Sequence, residues 1–345
     1  MRYTLAFLLA IPAICADWNP RAAADYMDAR QKAWFAWPQA TRSGAACISC
    51  HTGMTYLLAR PELRHVLGEK SATEYERGYS QTLRARADKQ PPSNPASLDG
   101  FGTDSVLAAM LLTAEDRGSL SPETLKALDR MWAAQKPDGG WPWYSLNDDP
   151  WEMPESRFFG ASLAAVALGN TPADYRARPE VAGHVSKLAQ FLSRDQGQPL
   201  QNRLMLLWAS AKVPDILPAA RRKAILDQAR QTQQPDGGWT IASLGPWSAH
   251  PEAAVTNGTN AYATAIAAFA LEQAGLTTSD PMLARALDWL RAHQSRDGYW
   301  DAASMNHKYE AGSMMELFMR DAATGFAAMA LLHGHESSVH SSARP

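Results

Sequence analysis

Residues 47–51 read Cys47, Ile48, Ser49, Cys50, His51: two thiols three positions apart, with an imidazole directly after the second. At that spacing both sulfurs can reach the two vinyl groups of one haem, and the histidine is then held beneath the iron as its proximal ligand. Cys47 and Cys50 are therefore the candidate points of covalent haem attachment, His51 the candidate iron ligand, and haem c the expected cofactor. Three other chemistries use the same residues: a disulfide between the two cysteines, a thioredoxin-like redox pair, or half of a zinc site. Zinc needs two more good ligands, and the chain has no second CxxC and no paired histidine motif. A thioredoxin-like pair belongs in a βαβ setting, which the sequence pattern does not offer. Met54 is too near in sequence to cross to the opposite haem face. A distal ligand has to come from elsewhere: His65, or His307, Met314 or Met315 in the stretch 304–315, or water at an open position.

The start of the chain sets the redox setting of those thiols. Met1 and Arg2 precede an apolar run from Leu5 to Ile14, followed by Cys15-Ala16-Asp17, the pattern of a secretory signal peptide cleaved after Ala16. Acylation at Cys15 is the rival reading, but Ile14 is bulky for the residue before an acylated cysteine. Cleavage leaves Cys47 and Cys50 out of the 3 cysteines, in a protein expected to be periplasmic or secreted, where c-type haem is assembled. Lys and Arg number 33 against 35 Asp and Glu, so no broad cationic face for nucleic acid or anionic lipid is expected. No later stretch has the 18 or so uninterrupted apolar residues of a membrane span.

The elements that must position the motif are helical. Residues 23–36 and 71–89 read as helices flanking a short helical run within 44–64, and QPPSNPASLDG then forms a polar, Pro-rich connector. The organisation expected from this is a signal peptide (1–16), an N-terminal helical segment carrying CxxCH (17–98), a helical body (99–335) and a disordered tail (336–345). In the body, runs that are apolar almost all round (101–116, 158–169, 200–212, 260–275, 321–332) alternate with runs that have one polar face (121–135, 179–194, 218–233, 280–294). Alternation of fully buried and half-buried helices is what a closed ring of helical hairpins produces. The 12 Trp and 13 Met are read mainly as its core.

Three of the polar runs end alike: QKPDGGW (135–141), QQPDGGW (233–239) and QSRDGYW (294–300), with a degenerate copy at Gln196 that lacks the Trp. Gly139, Gly237 and Gly298 allow a tight turn after the helix. Trp141, Trp239 and Trp300 can pack over the helix end, and Gln135, Gln233 and Gln294 can bond exposed backbone groups. This signature resembles the QW motif of squalene-hopene and oxidosqualene cyclases over roughly residues 100–333. The resemblance implies an all-α fold, an α/α toroid, with an apolar central cavity suited to an isoprenoid ligand. The 47–51 segment resembles cytochrome c in CxxCH alone.

The DxDD acid of the cyclases is absent. GTDS (102–105) opens a buried run but puts Thr103 where the acid belongs, and LNDD (146–149) lies in a loop. Candidate acids are Asp148, Glu155 and Asp321, although helix capping or a solvated loop is the simpler account of each. The loop 141–160 gathers Trp141, Trp143, Trp151, Glu152, Glu155 and Arg157 before a buried helix, as a lid over one mouth of the ring would. Three functions follow: a haem c protein transferring electrons to or from a redox partner while the ring binds an apolar, isoprenoid-like molecule; a terpene cyclase acting by protonation; and a binding scaffold without catalysis. Oxidoreductase chemistry is expected ahead of cyclisation.

Overall fold

The computed structural model describes residues 18–42, 45–146, 150–247 and 258–342. Among them, twelve of the fourteen α-helices alternate strictly between two layers, the other two, Ala173–Arg176 and Ile241–Leu244, being single turns in the connections. The outer layer holds α1 (Pro20–Ala36), α3 (Glu74–Ala85), α5 (Pro122–Ala133), α7 (Pro179–Leu192), α9 (Ala219–Thr232) and α11 (Pro281–Ala292). The inner layer holds α2 (Gly53–Val66), α4 (Leu98–Asp116), α6 (Ser156–Gly169), α8 (Leu200–Lys212), α10 (Ala261–Gln273) and α12 (Phe318–Ser342). Inner helices pack side by side in chain order, and α12 returns to pack on α2, so the ring is closed. The fold is the all-α toroid that the repeat implied.

Composition decides which layer a helix enters. In α10 every residue from Ala261 to Leu271 is buried, and its alanines allow neighbours on both flanks to approach closely. Outer α11 buries Met282, Leu283, Ala286, Leu287 and Leu290 on one stripe and exposes Arg285 and Asp288 on the other. Caps fix the starts: Ser121 and Asp280 accept from the amides of Thr124 and Met282 ahead of a proline in the first turn, and Thr73 with Glu76 forms a capping box. Among the described residues, strand structure is confined to two short antiparallel pairings, Thr41–Arg42 with Ala45–Ala46 and Trp239–Thr240 with Thr259–Asn260.

One hydrophobic cluster runs from Ala23 to Leu332, continuous across residue 98 where a boundary was expected. Residues 17–98 contribute two outer helices and an inner one to the same ring. At the closing seam Gly325 of α12 meets Thr55 of α2, where a Cβ would lie 2.4 Å from the Thr55 Cβ. Helix α12 continues to Ser342, into the stretch 336–345 expected as a tail.

The QW residues join successive outer helices. Gln135 Nε2 donates to the Gly139 carbonyl and to that of His184 in α7; Gln233 Nε2 donates to Gly237 and to Met282 in α11. Gln294 Nε2 donates to Gly298 and to Asn19, the N-cap of α1, whose own amide donates back to Gln294 at 2.7 Å. The third motif thus ties the last outer helix to the first. Each indole turns back onto its own helix: Trp141, Trp239 and Trp300 Nε1 donate to Met131, Ala229 and Leu290 at 2.7, 2.9 and 2.8 Å. Gly298 has φ +90°, and a Cβ there would lie 2.0 Å from the Ala22 carbonyl oxygen, so the staple admits only glycine. Between α7 and α9, where Gln196 stands without a Trp, buried Asp195 pairs with Arg203 and Arg221 instead.

Candidate functional site

Alternation of layers makes all inner helices run in one direction, so their N-termini share one end of the ring. The two ends differ. Inner-to-outer connections are short (67–73, 117–121, 170–178, 213–218, 274–280), whereas outer-to-inner ones include the long stretches 37–52, 134–155, 233–260 and 293–317. Long connections on a rigid scaffold are where ligand chemistry concentrates. CxxCH lies in the first of them, and His51 stands just before α2 at this mouth.

His51 is buried. Phe318, the first residue of α12, stacks on one face of its ring with centroids 3.7 Å apart; Trp34 of α1 lies edge-on at 5.7 Å, and Trp151 of the α5–α6 loop lies 5.6 Å away. Burial, with the nearby Arg30 charge as second cause, holds the imidazole neutral by pushing its pKa down to about 3. Its Nδ1 lies 2.8 Å from Thr52 Oγ1, and Thr52 Oγ1 donates to Asp321 Oδ2 at 2.7 Å.

Asp321 sits in the first turn of α12 and is buried. Arg30 clamps it from α1, Nε to Oδ1 at 2.7 Å and Nη2 to Oδ2 at 2.9 Å, and the Tyr26 hydroxyl donates to Oδ1 at 2.9 Å. Burial pushes the carboxyl up; Arg30, Thr52 and Tyr26 pull it down. Four donors converge on its two oxygens, two of them from a guanidinium, and only the ionised carboxylate accepts them all. An ionised carboxylate whose lone pairs are all taken has no proton to give to a substrate. Its charge raises the Tyr26 phenol further, after burial itself.

Cys50 is buried, and Cys47 is half-buried; no disulfide joins them. The Cys47 carbonyl accepts from Trp34 Nε1 at 2.9 Å. Cys47 lines a groove of about 460 Å³ whose walls include Ile48, Phe101 and Tyr144 and whose cations are Arg86, Lys89 and Arg130. Trp151 also faces Tyr262 of α10, with ring centroids 5.5 Å apart, and the Tyr262 hydroxyl donates to Gln201 Oε1 at 3.1 Å. In the described parts of the loop, Trp143 Nε1 donates to the Trp151 carbonyl and Ser156 Oγ to that of Pro150.

The other expected site residues are dispersed. Glu155 is exposed at the start of α6, where its carbonyl accepts from Asn202. Thr103 is satisfied by the Asp99 carbonyl and the Tyr144 amide. Asp148 lies outside the described residues. Of the distal-ligand candidates, His65 is exposed near the far end of α2, about 20 Å along the helix from His51 at the usual rise. Met315 is exposed and His307 packs on Tyr309, whereas the Met314 sulfur lies 3.1 Å from Arg30 Nη2 beside the Asp321 cluster. The sequence reading missed Tyr26, Arg30 and Thr52. Arg30 carried the one available signal, a cation one helical turn before Trp34 on the buried face of α1.

The fold has counterparts among known proteins. The profile of the squalene-hopene cyclase C-terminal domain matches residues 195–345. Comparison with curated proteins gives no match. Among solved structures, a polysaccharide lyase superposes with TM-score 0.56 at 14% identity, covering 94% of this chain and 99% of its own. A structure described as a possible member of the GH105 family from Salmonella enterica superposes with TM-score 0.55 at 14% identity, covering 99% of this chain and 100% of its own. At such identities these two likenesses speak for the fold, and with the profile match they make the chain an α/α toroid similar to that of squalene-hopene cyclase.

Proposed function

We propose that this protein is an exported c-type haem protein, with haem bound through Cys47 and Cys50, His51 as the iron ligand, and electron transfer as its task. The observation that carries the reading is the chain His51–Thr52–Asp321 beside two thiols at the mouth of the ring. A metal-binding histidine normally gives its second nitrogen to a fixed acceptor, and Thr52 is that acceptor here. Phe318 covers a face of the imidazole and leaves its edge for iron; Cys50 and His51 are buried as the ring stands, so haem attachment requires the packing of Phe318, Trp34 and Trp151 around them to open. Lys89 in the groove beside Cys47 suits a porphyrin carboxylate, whereas Arg130 on the same wall is paired with Asp104 at 2.6 Å. When bound, haem supplies one-electron chemistry; the chain supplies attachment, a fixed imidazole and exclusion of water. Met314 is the distal candidate nearest the cluster.

The candidate place for an apolar, isoprenoid-like guest is a cleft of about 330 Å³ between α2, α3 and α4, apolar at Leu57, Leu58, Pro61, Leu83 and Leu111 and rimmed by Glu62, Arg64, Glu76, Arg77, Glu115 and Arg117. Coexpression with a haem c maturation system, followed by a pyridine haemochrome spectrum, tests the central claim. A covalent haem band in the wild type that is lost in Cys47→Ala and Cys50→Ala supports it. Correctly exported protein without the band overturns it. The profile match favours terpene cyclisation as the second reading, and incubation with squalene and shorter polyprenyl substrates followed by product analysis decides that.

A further inference from the structure

We infer that the cleft between α2, α3 and α4 binds an uncharged apolar molecule with a hydroxyl head, and that the Leu57 main-chain carbonyl accepts a hydrogen bond from that hydroxyl. The inference rests on the reading that this cleft holds an apolar guest; it requires neither haem nor an isoprenoid skeleton. The cleft exists because α2 and α4, neighbours in the inner layer, part along their second halves with α3 behind them. Leu57 and Leu58 of α2 are only half-buried, whereas the inner-helix leucines Leu204, Leu206 and Leu207 of α8 have no exposure. With about 330 Å³ between largely apolar walls, the opening has the size of a small-molecule site.

The rim selects against a charged guest, because each of its acids is already matched. Glu62 of α2 pairs with Arg117 at the end of α4 at 3.5 Å, Glu76 of α3 with Arg64 of α2 at 3.3 Å, and Glu115 of α4 with Arg84 of α3 at 3.3 Å. Every two of the three helices are thus joined by an ion pair. Among the described residues, Arg77 is the one rim charge without an acid at salt-bridge distance; it is exposed and donates to the Ala72 carbonyl. A phosphate or carboxylate entering the cleft gives up water for a wall whose other cations are occupied, and an apolar chain with a neutral head meets no such cost.

The acceptor inside the cleft is main-chain. Pro61 stands within α2 and has no N–H to give the Leu57 carbonyl one turn back, and its ring crowds that oxygen. No side chain or loop amide donates to it among the described residues. Leu57 and Pro61 both line the cleft, which puts the carbonyl between them at its wall. In an open cleft water can satisfy the oxygen. A guest that fills the cleft shuts water out, so an alkane or an ether leaves the carbonyl unpaired, whereas a hydroxyl bonds it. The competing role for Pro61 is a bend in α2 that shapes the cleft, which would change the affinity for every guest alike.

Leucine-methyl NMR titration of the full-length protein with 1-decanol, decyl methyl ether and decyl phosphate tests this. Decanol is expected to move the methyl signals of Leu57, Leu58, Leu83 and Leu111 and to bind about fivefold tighter than the ether. Decyl phosphate is expected to bind more weakly than the alcohol. Pro61→Ala restores the missing N–H and favours the helix, so folding is not at risk; it is expected to bring the alcohol-to-ether affinity ratio down to about one. An ether that binds the wild type as tightly as the alcohol overturns the inference and leaves the apolar-guest reading standing. So does an alcohol preference that survives Pro61→Ala, which would reduce Pro61 to a bend. Decyl phosphate binding tighter than decanol overturns it by making the guest an anion. If none of the three moves those methyl signals, the apolar-guest reading falls and this inference falls with it.

Discussion

Two buried carboxyls, one at each end of the ring, are handled in opposite ways. Asp321 stands in the first turn of inner helix α12, where backbone amides favour negative charge, and accepts four hydrogen bonds. Glu272 stands in the last turn of inner helix α10, where the carbonyl ends disfavour it, and its buried Oε2 has no hydrogen-bond partner. Burial pushes Glu272 up to about 9, with Arg291 opposing, so at neutral pH it is an uncharged acid. The contrast is between these two sites and not between the two ends as a whole, since Arg60 and Asp116 at the Glu272 end are ion-paired. The largest effect should come from breaking the mouth: Asp321→Ala leaves the Arg30 guanidinium buried and unpaired, and urea denaturation should show a loss of about 3–5 kcal/mol. In an Arg30→Met background the same change should cost much less. A loss under about 1 kcal/mol in the single variant would mean that the two sites do not differ as described.

The floor should respond with the opposite sign. Below about 4.5 Glu272 is protonated both folded and unfolded; from there to about 9 only the unfolded chain ionises, so stability falls as pH rises across that window and levels off above it. Glu272→Gln should remove this decline and gain on the order of 2 kcal/mol at pH 7, leaving stability near pH 4 unchanged. A pH series of urea midpoints for both proteins checks it, and parallel curves would show that Glu272 ionises without penalty.

How far the sequence could foresee this follows from which interactions are local. Each inner and outer helix of the body was legible because an apolar run such as 260–275 has nowhere to go but between neighbours, and a one-faced run such as 280–294 nowhere but outside. Gln135, Gln233 and Gln294 were legible as staples because motif, turn and indole lie within seven residues; their partners, His184, Met282 and Asn19, were not, since those contacts exist only once the ring closes. Closure also explains why residues 17–98 read as a segment beside the ring: α2 has polar ends and an internal Pro61, and only docking between α4 and α12 reveals it as an inner helix. His51 and Asp321 were each singled out, one as a ligand and one as an acid, but 270 positions separate them in the chain. Thr52, which joins them, is an ordinary threonine until both arrive.

That dependence on closure predicts coupling. Gln294→Ala removes the bonds that hold the start of α1, the helix presenting Arg30 and Tyr26, and should cost about 1–2 kcal/mol. Because staple and ion pair both hold α1, combining Gln294→Ala with Asp321→Ala should give a sum that departs from additivity by more than about 0.5 kcal/mol in urea denaturation. Gln135→Ala, on the far side of the ring, should add simply.

The finest distinction between the two carboxyls is how many donors each needs. Tyr26 shares Oδ1 of Asp321 with Arg30 Nε, so Tyr26→Phe leaves the carboxylate three donors and its charge pair. The ring contact with Tyr299, centroids 5.2 Å apart, survives in phenylalanine. The expected loss is about 0.5–1.5 kcal/mol, a single hydrogen bond to a charged acceptor that keeps its other partners. Against the gain expected for Glu272→Gln, this small loss fixes the sign of the contrast: removing one polar group destabilises the mouth, and neutralising one permanently stabilises the floor. Were Tyr26→Phe instead to stabilise the protein, Asp321 would be over-supplied with donors, and the phenol would be better explained as the wall of a ligand site than as part of the clamp.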